Sequence, residues 1–331
     1  MKILLINTGG TIACRATSMG LQPQLTAEEL LEFLPKTTSI CQIDALNLMS
    51  LESSDIAPRH WLNMVLAVES QYEAYDGFIL CHGSDTMAYT AAALSYLIAD
   101  SPKPIVLTGA QRPMEQPGSD GRKNLWDAIA YCTHPKACRV RLVFGGKVIA
   151  GTRAKKLYTH SDEAFCSVNF PLIATVHQGD VSIITEEEPP KHRCRFTHEM
   201  DPNVALLKLI PNSKEAEQLN GLIKHFHGIV LEGYGLGNLP LGNENAFLQT
   251  LNKATAHGVV LVGTSQAMME GTHMERYAVG NLAKGCGILE SYDMTAEAAV
   301  TKLMWLLGQS RNIESIIPYF YTTVDHDISL T

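Results

Sequence analysis

Residues 77–109 read GFILCHGSDTMAYTAAALSYLIADSPKPIVLTG. Gly77 to Cys81 is a short apolar run and predicts a strand. Asp85 to Ala99 carries small and apolar residues without a break and predicts a helix. Pro104 to Thr108 is a second apolar run, opened by a proline that marks its start, and predicts a second strand. Strand, helix and strand in this order form a β-α-β unit, whose two strands lie parallel because a crossover helix joins them.

The same alternation extends outward. Upstream, Lys2 to Asn7 predicts a first strand. Thr26 to Phe33 predicts a helix, with Thr26 and Glu29 spaced as a capping box, and Pro58 suits the first turn of a helix ending near Tyr75. Downstream, Ser119 to Thr133 reads as a helix and Arg141 to Gly145 as a strand. The expected fold class is therefore α/β, with a doubly wound, mainly parallel sheet. Residues 187–203, entered through Glu186-Glu187-Glu188-Pro189-Pro190-Lys191, change to polar and proline-rich character and read as a linker. Beyond it, Val204 to Leu209, Gly228 to Leu231 and Val259 to Val262 are strand candidates. Helices fit Lys214 to His225, Asn245 to Thr255 and Thr295 to Leu307. The expected organisation is a larger N-terminal α/β domain over 1–186, a linker over 187–203 and a smaller C-terminal α/β domain over 204–331. Two domains also suit 331 residues, since a single core stops growing at about 250–300.

Bulk properties exclude several classes. The formal net charge of −8, with no long basic run, argues against nucleic acid as a partner, which requires a positive footprint for phosphates. No stretch approaches the roughly 20 apolar residues that span a bilayer, and the apolar run after Met1-Lys2 is too short for a signal-peptide core. The eight cysteines are scattered without a CxxC pair and read as reduced core residues of a cytoplasmic protein. The twelve histidines show no HExxH or clustered ligand spacing, so neither a metal nor another cofactor is expected. Gly233, Gly235 and Gly237 follow a strand, but Pro240 occupies the third glycine position of a dinucleotide fingerprint, and no P-loop run is present.

In open α/β sheets ligands gather beyond the carboxyl ends of the strands. Three predicted strands end in Thr8-Gly9-Gly10-Thr11-Ile12, His82-Gly83-Ser84-Asp85-Thr86 and Thr108-Gly109-Ala110-Gln111-Arg112-Pro113. Each joins hydroxyls, which serve as nucleophiles or hydrogen-bond partners, to small residues that let backbone approach a ligand. Alone, each is a plain turn, and Ser84-Asp85 alone suits a helix cap. Together, at successive strand ends, they outline a site.

These segments resemble the asparaginase family, in its cytoplasmic, bacterial-type-I branch. Thr8 to Ile12 and His82 to Ala91 look like its two signatures. Ser53-Ser54-Asp55 is similar to its substrate-binding loop, Gly151-Thr152-Arg153 with Lys156 to its lysine segment, and Tyr234-Gly235-Leu236-Gly237-Asn238 to a motif of its second domain. The likeness covers nearly the whole chain. It implies hydrolysis of L-asparagine to L-aspartate and ammonia by a threonine nucleophile, Thr11, with Ser84, Asp85 and Lys156 as the proton relay. A lysine titrates near 10.4 in water and Asp85 favours its charged form, so Lys156 is expected to act through Ser84. The resemblance also implies that Ser53 and Ser54 hold the substrate carboxylate, that Asp85 faces its ammonium, and that amides near Gly83 and Ser84 stabilise the oxyanion. It further implies that the Ala110 carbonyl accepts from the leaving amide and that Asn238 reaches a site across a homodimer or homotetramer interface.

Two departures stand out. The second signature carries Ser84 where the family has threonine. By count from Thr11, Leu21 occupies the place of a tyrosine on the loop after the nucleophile, and Tyr277 is the expected substitute from the second domain, with an ordinary interface aromatic as the plain alternative. The segment from Thr11 to Gln24 is expected to be a lid. The arginine that precedes the Tyr-Gly-x-Gly-Asn motif in allosteric members is replaced by Glu232, which predicts hyperbolic kinetics. The alternatives are a glutaminase or a hydrolase of another amide on the same fold, and a non-catalytic asparagine- or aspartate-binding sensor. An amide on a misacylated tRNA is disfavoured, because the amidotransferase relatives carry an additional N-terminal module ahead of the first strand.

Overall fold

A computed structural model describes residues 1–34, 41–212, 214–241 and 246–330. The chain divides into two compact units, Met1–His198 and Glu199–Thr331.

The first unit contains β1 (Lys2–Gly9), the hairpin β2 (Cys14–Thr17) and β3 (Gly20–Pro23), α1 (Ala27–Glu32), β4 (Gln42–Leu51), α2 (Pro58–Gln71), β5 (Gly77–Cys81), α3 (Met87–Leu97) and β6 (Ile98–Ala99). It continues with β7 (Pro104–Thr108), α4 (Gly121–Cys132), β8 (Arg139–Phe144), β9 (Lys147–Ala150), β10 (Ala154–Lys156), β11 (Phe165–Ser167), β12 (Ala174–His177), β13 (Asp180–Ile183) and β14 (Arg195–Phe196). Eight of these strands form one sheet in the order β13-β12-β9-β8-β7-β5-β1-β4. From β8 to β4 every neighbouring pair is parallel. All residues of β5 and β7 are buried, because helices cover both faces of such strands and leave none for water. Leu125, Ala128 and Ile129 of α4 join Leu5, Ile79 and Val106 in one core cluster.

The predicted β5-α3-β7 unit is present, with both strands over the expected residues and the helix starting two residues later. The capping box is also present: the Thr26 hydroxyl accepts from the Glu29 N–H, and the Glu29 carboxylate accepts from the Thr26 N–H. The sequence reading did not anticipate the antiparallel arm β9, β12 and β13. Its turns leave the signal in backbone: Gly145 and Gly146 have φ of 60° and 78°, and Gln178 and Gly179 have 53° and 91°. Two successive positive φ values match the right-handed twist of a two-residue hairpin.

The reading of 187–203 as a linker requires correction. Arg195 and Phe196 pair antiparallel with Ala99 and Ile98, and Phe196 packs edge-on against Tyr72 at 5.2 Å between ring centroids. The Glu187 side chain, 7% exposed, accepts from Arg141 Nη2 at 2.7 Å, where the arginine is fully buried. A buried guanidinium needs a carboxylate beside it, so this acidic run folds as part of the first unit.

The second unit contains β15 (Val204–Lys208), α5 (Glu215–Ile223), β16 (Gly228–Gly233), α6 (Ala246–Ala256), β17 (Val260–Ser265), α7 (Ala278–Gly285), β18 (Leu289–Glu290), α8 (Ala296–Gln309) and α9 (Ile313–Phe320). Its four strands are parallel in sequence order. The expected first residue of α6, Asn245, lies outside the described residues. Helix α9 was not foreseen, because Pro318 interrupts its apolar pattern.

All eight cysteines carry free thiols. Burial pushes the Cys81 thiol up to about 12. Among the described residues no helix is long and apolar enough to cross a membrane.

Candidate active site

The carboxyl ends of β1, β5 and β7 carry the three small-residue segments. Gly10 lies between β1 and a single 3-10 turn, Thr11–Ala13, with φ 74° and ψ 179°, a conformation open essentially only to glycine. A Cβ at Gly10 would stand 2.2 Å from both N and Cα of Gly83. The nucleophile candidate Thr11 is thus carried by backbone in direct contact with the second signature. At Gly83 a Cβ would stand 2.5 Å from the Ser53 Cβ, which joins the third segment. Ser53 and Ser54 lie in the turn Ser53–Asp55 after β4; Ser53 is buried and Ser54 exposed.

Lys156, the last residue of β10, donates from Nζ to Ser84 Oγ at 2.8 Å and to Asp85 Oδ1 at 2.6 Å. Its side chain is 16% exposed, which distinguishes it from a solvated surface lysine, whereas that of Asp85 is 70% exposed and open to a ligand. Ser53 Oγ donates to the other carboxylate oxygen of Asp85 at 3.4 Å. Neither Ser84 nor Asp85 caps α3: the N-cap is Thr86, whose hydroxyl donates to the Ser53 carbonyl instead. The capping alternative for this pair is therefore excluded. Among the described residues, the N–H groups of Gly83 and Ser84 donate to no protein acceptor.

Beyond β7, Ala110 is buried, with its Cβ against Gly121 at the start of α4. The following loop is tied down by Asp120, which accepts from the N–H groups of Gln111 at 2.8 Å and Arg112 at 3.0 Å. Asp120 occupies the N-cap position of α4 yet makes no cap bond there, having turned to the loop. Asn124 donates to the Gly109 carbonyl and accepts from the Gly145 N–H. Gln111 accepts from Ser84 Oγ at 3.2 Å and donates to the carbonyls of Tyr158 and Ser161. The sequence reading assigns no role to Gln111, Asp120 or Asn124; the Asp120/Asn124 spacing of one helical turn is the available signal.

Beneath the second signature lies a buried chain of hydrogen bonds. His82 Nδ1 donates to the Gly83 carbonyl at 2.7 Å, since a carbonyl can only accept. Nε2 is then the acceptor, bonded to Thr90 Oγ1 at 3.0 Å, and Thr90 Oγ1 accepts from Trp61 Nε1 at 2.9 Å. Complete burial pushes the imidazole pKa down to about 4, so it is neutral at pH 7.

The segment after Thr11 is a β-hairpin, with Leu21 paired to Ala16 and 44% exposed. Its base is pinned by Gln24 and Leu25 N–H groups on the Ala13 carbonyl. Asn238 and Tyr277 lie in the second unit. Asn238 closes a tight turn with its N–H on the Tyr234 carbonyl, and its Oδ1 is buried without a hydrogen-bond partner among the described residues. Tyr277 is 49% exposed, at the N-cap of α7. Glu232 forms an ion pair with Lys208 at 3.3 Å.

Comparison with known proteins adds to this geometry. A family model described as Asparaginase, N-terminal, matches residues 2–189, and one described as Glutaminase/Asparaginase C-terminal domain matches residues 203–320. The chain is 36% identical to an L-asparaginase of Thermococcus kodakarensis over 96% of this chain and 95% of that one. The solved structure of the thermostable L-asparaginase from that organism superposes with a TM-score of 0.94 over 100% of both chains at 34% identity. L-asparaginase 1 of Escherichia coli is 32% identical, covering 95% of this chain and 94% of its own. A subunit of the glutamyl-tRNA(Gln) amidotransferase of Pyrococcus horikoshii is 33% identical over 95% of this chain and 74% of its own.

Proposed function

The chain belongs to the asparaginase family, and from that membership we infer that it hydrolyses the side-chain amide of L-asparagine to L-aspartate and ammonia. The observation that carries this reading to named residues is the Lys156–Ser84–Asp85 cluster at the carboxyl end of β5.

In the proposed reaction Thr11 Oγ attacks the amide carbon, its proton passes to Ser84 Oγ, and the Ser84 proton passes to Lys156 Nζ in the form of the enzyme whose Lys156 is an amine, the Lys156–Ser84 contact then running from hydroxyl to nitrogen. The contacts of Nζ with Ser84 and Asp85 support this relay, since the carboxylate stabilises the ammonium that the transfer creates. The N–H groups of Gly83 and Ser84 are the proposed donors to the oxyanion. The C–N bond then breaks, the proton passes to the departing nitrogen, and ammonia leaves an ester on Thr11. Water hydrolyses this ester and releases aspartate. The exposed carboxylate of Asp85 is the proposed partner of the substrate ammonium, a charge-assisted contact, with Ser53 and Ser54 on its carboxylate and the Ala110 carbonyl on the amide.

A homodimer or homotetramer is the proposed assembly, with Asn238 and Tyr277 reaching a partner's site. The unpaired buried Oδ1 of Asn238 and the exposed ring of Tyr277 support it. The cytoplasm is the proposed compartment, supported by eight free thiols.

The test is ammonia release from L-asparagine and L-glutamine side by side, with Thr11→Ala as control. The expected result is turnover of L-asparagine by the wild type and none by the variant. Asparagine binding without ammonia release would replace this reading with that of a sensor.

A further inference from the structure

The guanidinium of Arg15 is the centre of a three-way contact outside the relay. Arg15 lies in β2, four residues after Thr11, and its side chain is 38% exposed. Its Nη2 donates to Glu29 Oε1 at 2.8 Å, and its Nε donates to Glu115 Oε1 at 3.0 Å. Glu29 belongs to the first turn of α1, where its other oxygen completes the capping box on Thr26. Glu115 belongs to the loop after β7, four residues beyond the Gln111 that accepts from Ser84. Arg15 therefore touches two elements, one on each side of the turn that carries Thr11.

Among the described residues, one further backbone bond joins the Thr11 turn to that loop: Met114 N–H donates to the Ile12 carbonyl at a long 3.3 Å. The fastenings of the hairpin from Gln24, Leu25 and Asn7 lie at its base on the α1 side. Arg15 and Glu115 thus add a side-chain fastening between the Thr11 turn and this loop, beside the Gly10–Gly83 backbone contact and the packing of Ile12, Ala13, Ala110 and Met114 in one core. An arginine suits this place, because its fork presents Nε and Nη2 to two carboxylates at fixed spacing, which a lysine's point charge does not.

We propose that Arg15 is a positioning residue, which couples the Thr11 turn to the loop bordering Ser84 and so holds the two hydroxyls in register for the reaction. The inference rests on the asparaginase reading. Displacing a reacting group by about 1 Å costs up to about 100-fold in rate, so loss of such a clamp lowers kcat more than it raises KM.

The test uses the full chain with L-asparagine. Arg15→Gln is expected to lower kcat about tenfold, with KM changed less than threefold and an unchanged thermal midpoint. Arg15→Lys is expected to recover only part of the loss. Glu115→Gln should lower kcat by a similar factor, and the Arg15→Gln/Glu115→Gln double variant should be no slower than either single, as coupling through one contact requires. Glu29→Gln keeps a side chain that suits a capping box, so it separates the ion pair from the stability of α1. Thermolysin should cut the β2–β3 hairpin faster in Arg15→Gln than in the wild type. A kcat within twofold of the wild type in Arg15→Gln, or strictly multiplicative losses in the double variant, overturns the proposal. An inactive wild type would instead overturn the functional reading on which it stands.

Discussion

Lys156 Nζ sits 2.8 Å from Ser84 Oγ while also donating to Asp85 Oδ1 at 2.6 Å, so one ammonium, mostly shielded from water, is shared by a hydroxyl and a carboxylate. Replacing it with Lys156→Met keeps the length and removes the proton carrier. General acid–base groups contribute roughly 10²- to 10⁴-fold, and kcat for L-asparagine is expected to fall by that order. Ser84→Thr keeps the oxygen and adds the methyl found in the family, so activity is expected to survive. Steady-state ammonia release checks both, and a dead Ser84→Thr enzyme would remove the relay role from Ser84.

Gly10 and Gly83 approach so closely that neither position has space for a side chain. A Cβ on Gly10 meets Gly83 backbone at 2.2 Å, and φ of 74° with ψ of 179° adds strain for any L side chain. Gly10→Ala is expected to cost more than about 2 kcal/mol and to abolish turnover, because relief of the clash moves Thr11 away from the second signature. A urea midpoint and a kcat measurement on the same sample test this. Gly118→Ala is the control: its φ is also positive, at 74°, but nothing lies within 4 Å of its Cβ position, so only the stability term should appear.

His82 makes stability depend on pH in a defined direction. Its folded pKa is depressed by burial to about 4, below the ordinary 6.5. Between these values the unfolded chain binds a proton that the folded chain does not, so stability rises with pH there and is lost as pH falls from 6.5 to 4. The whole step is about 3 kcal/mol, and it is absent above pH 7. Protonating Nε2 would also turn an N–H towards Thr90, whose hydroxyl hydrogen would lose its acceptor. Urea titrations at pH 7.5 and 4.5 should show that His82→Leu, although less stable at neutral pH, loses less stability on acidification than the wild type. An equal loss in both would place the effect elsewhere.

Glu232 carries a negative charge into the segment before Tyr234 and is paired with Lys208. Repulsion of a carboxylate at that place leads to the expectation of hyperbolic dependence of rate on asparagine. Initial rates over a wide concentration range test it, and a Hill coefficient well above one would reject it.

Local pattern along the chain is enough for the order of elements, the parallel sheet and the strand ends where chemistry gathers. The apolar runs 77–81 and 104–108, the Thr26/Glu29 spacing, and glycines beside hydroxyls carry that information within a few residues. Whatever depends on distant residues meeting came only with the folded chain. Lys156 lies 72 positions from Ser84, and its place between Ser84 and Asp85 follows from β10 reaching the end of β5. Arg15 finds Glu115 across 100 positions, and Glu187 neutralises the buried Arg141 from a segment that reads as a polar linker. The antiparallel arm escaped the reading because its strands are only four residues long, too short for a periodic pattern to stand out. Asp120 occupies the N-cap position of α4 and serves a loop instead, because a carboxylate bonds whichever N–H groups the fold brings within reach, and one dimension of sequence does not contain that distance.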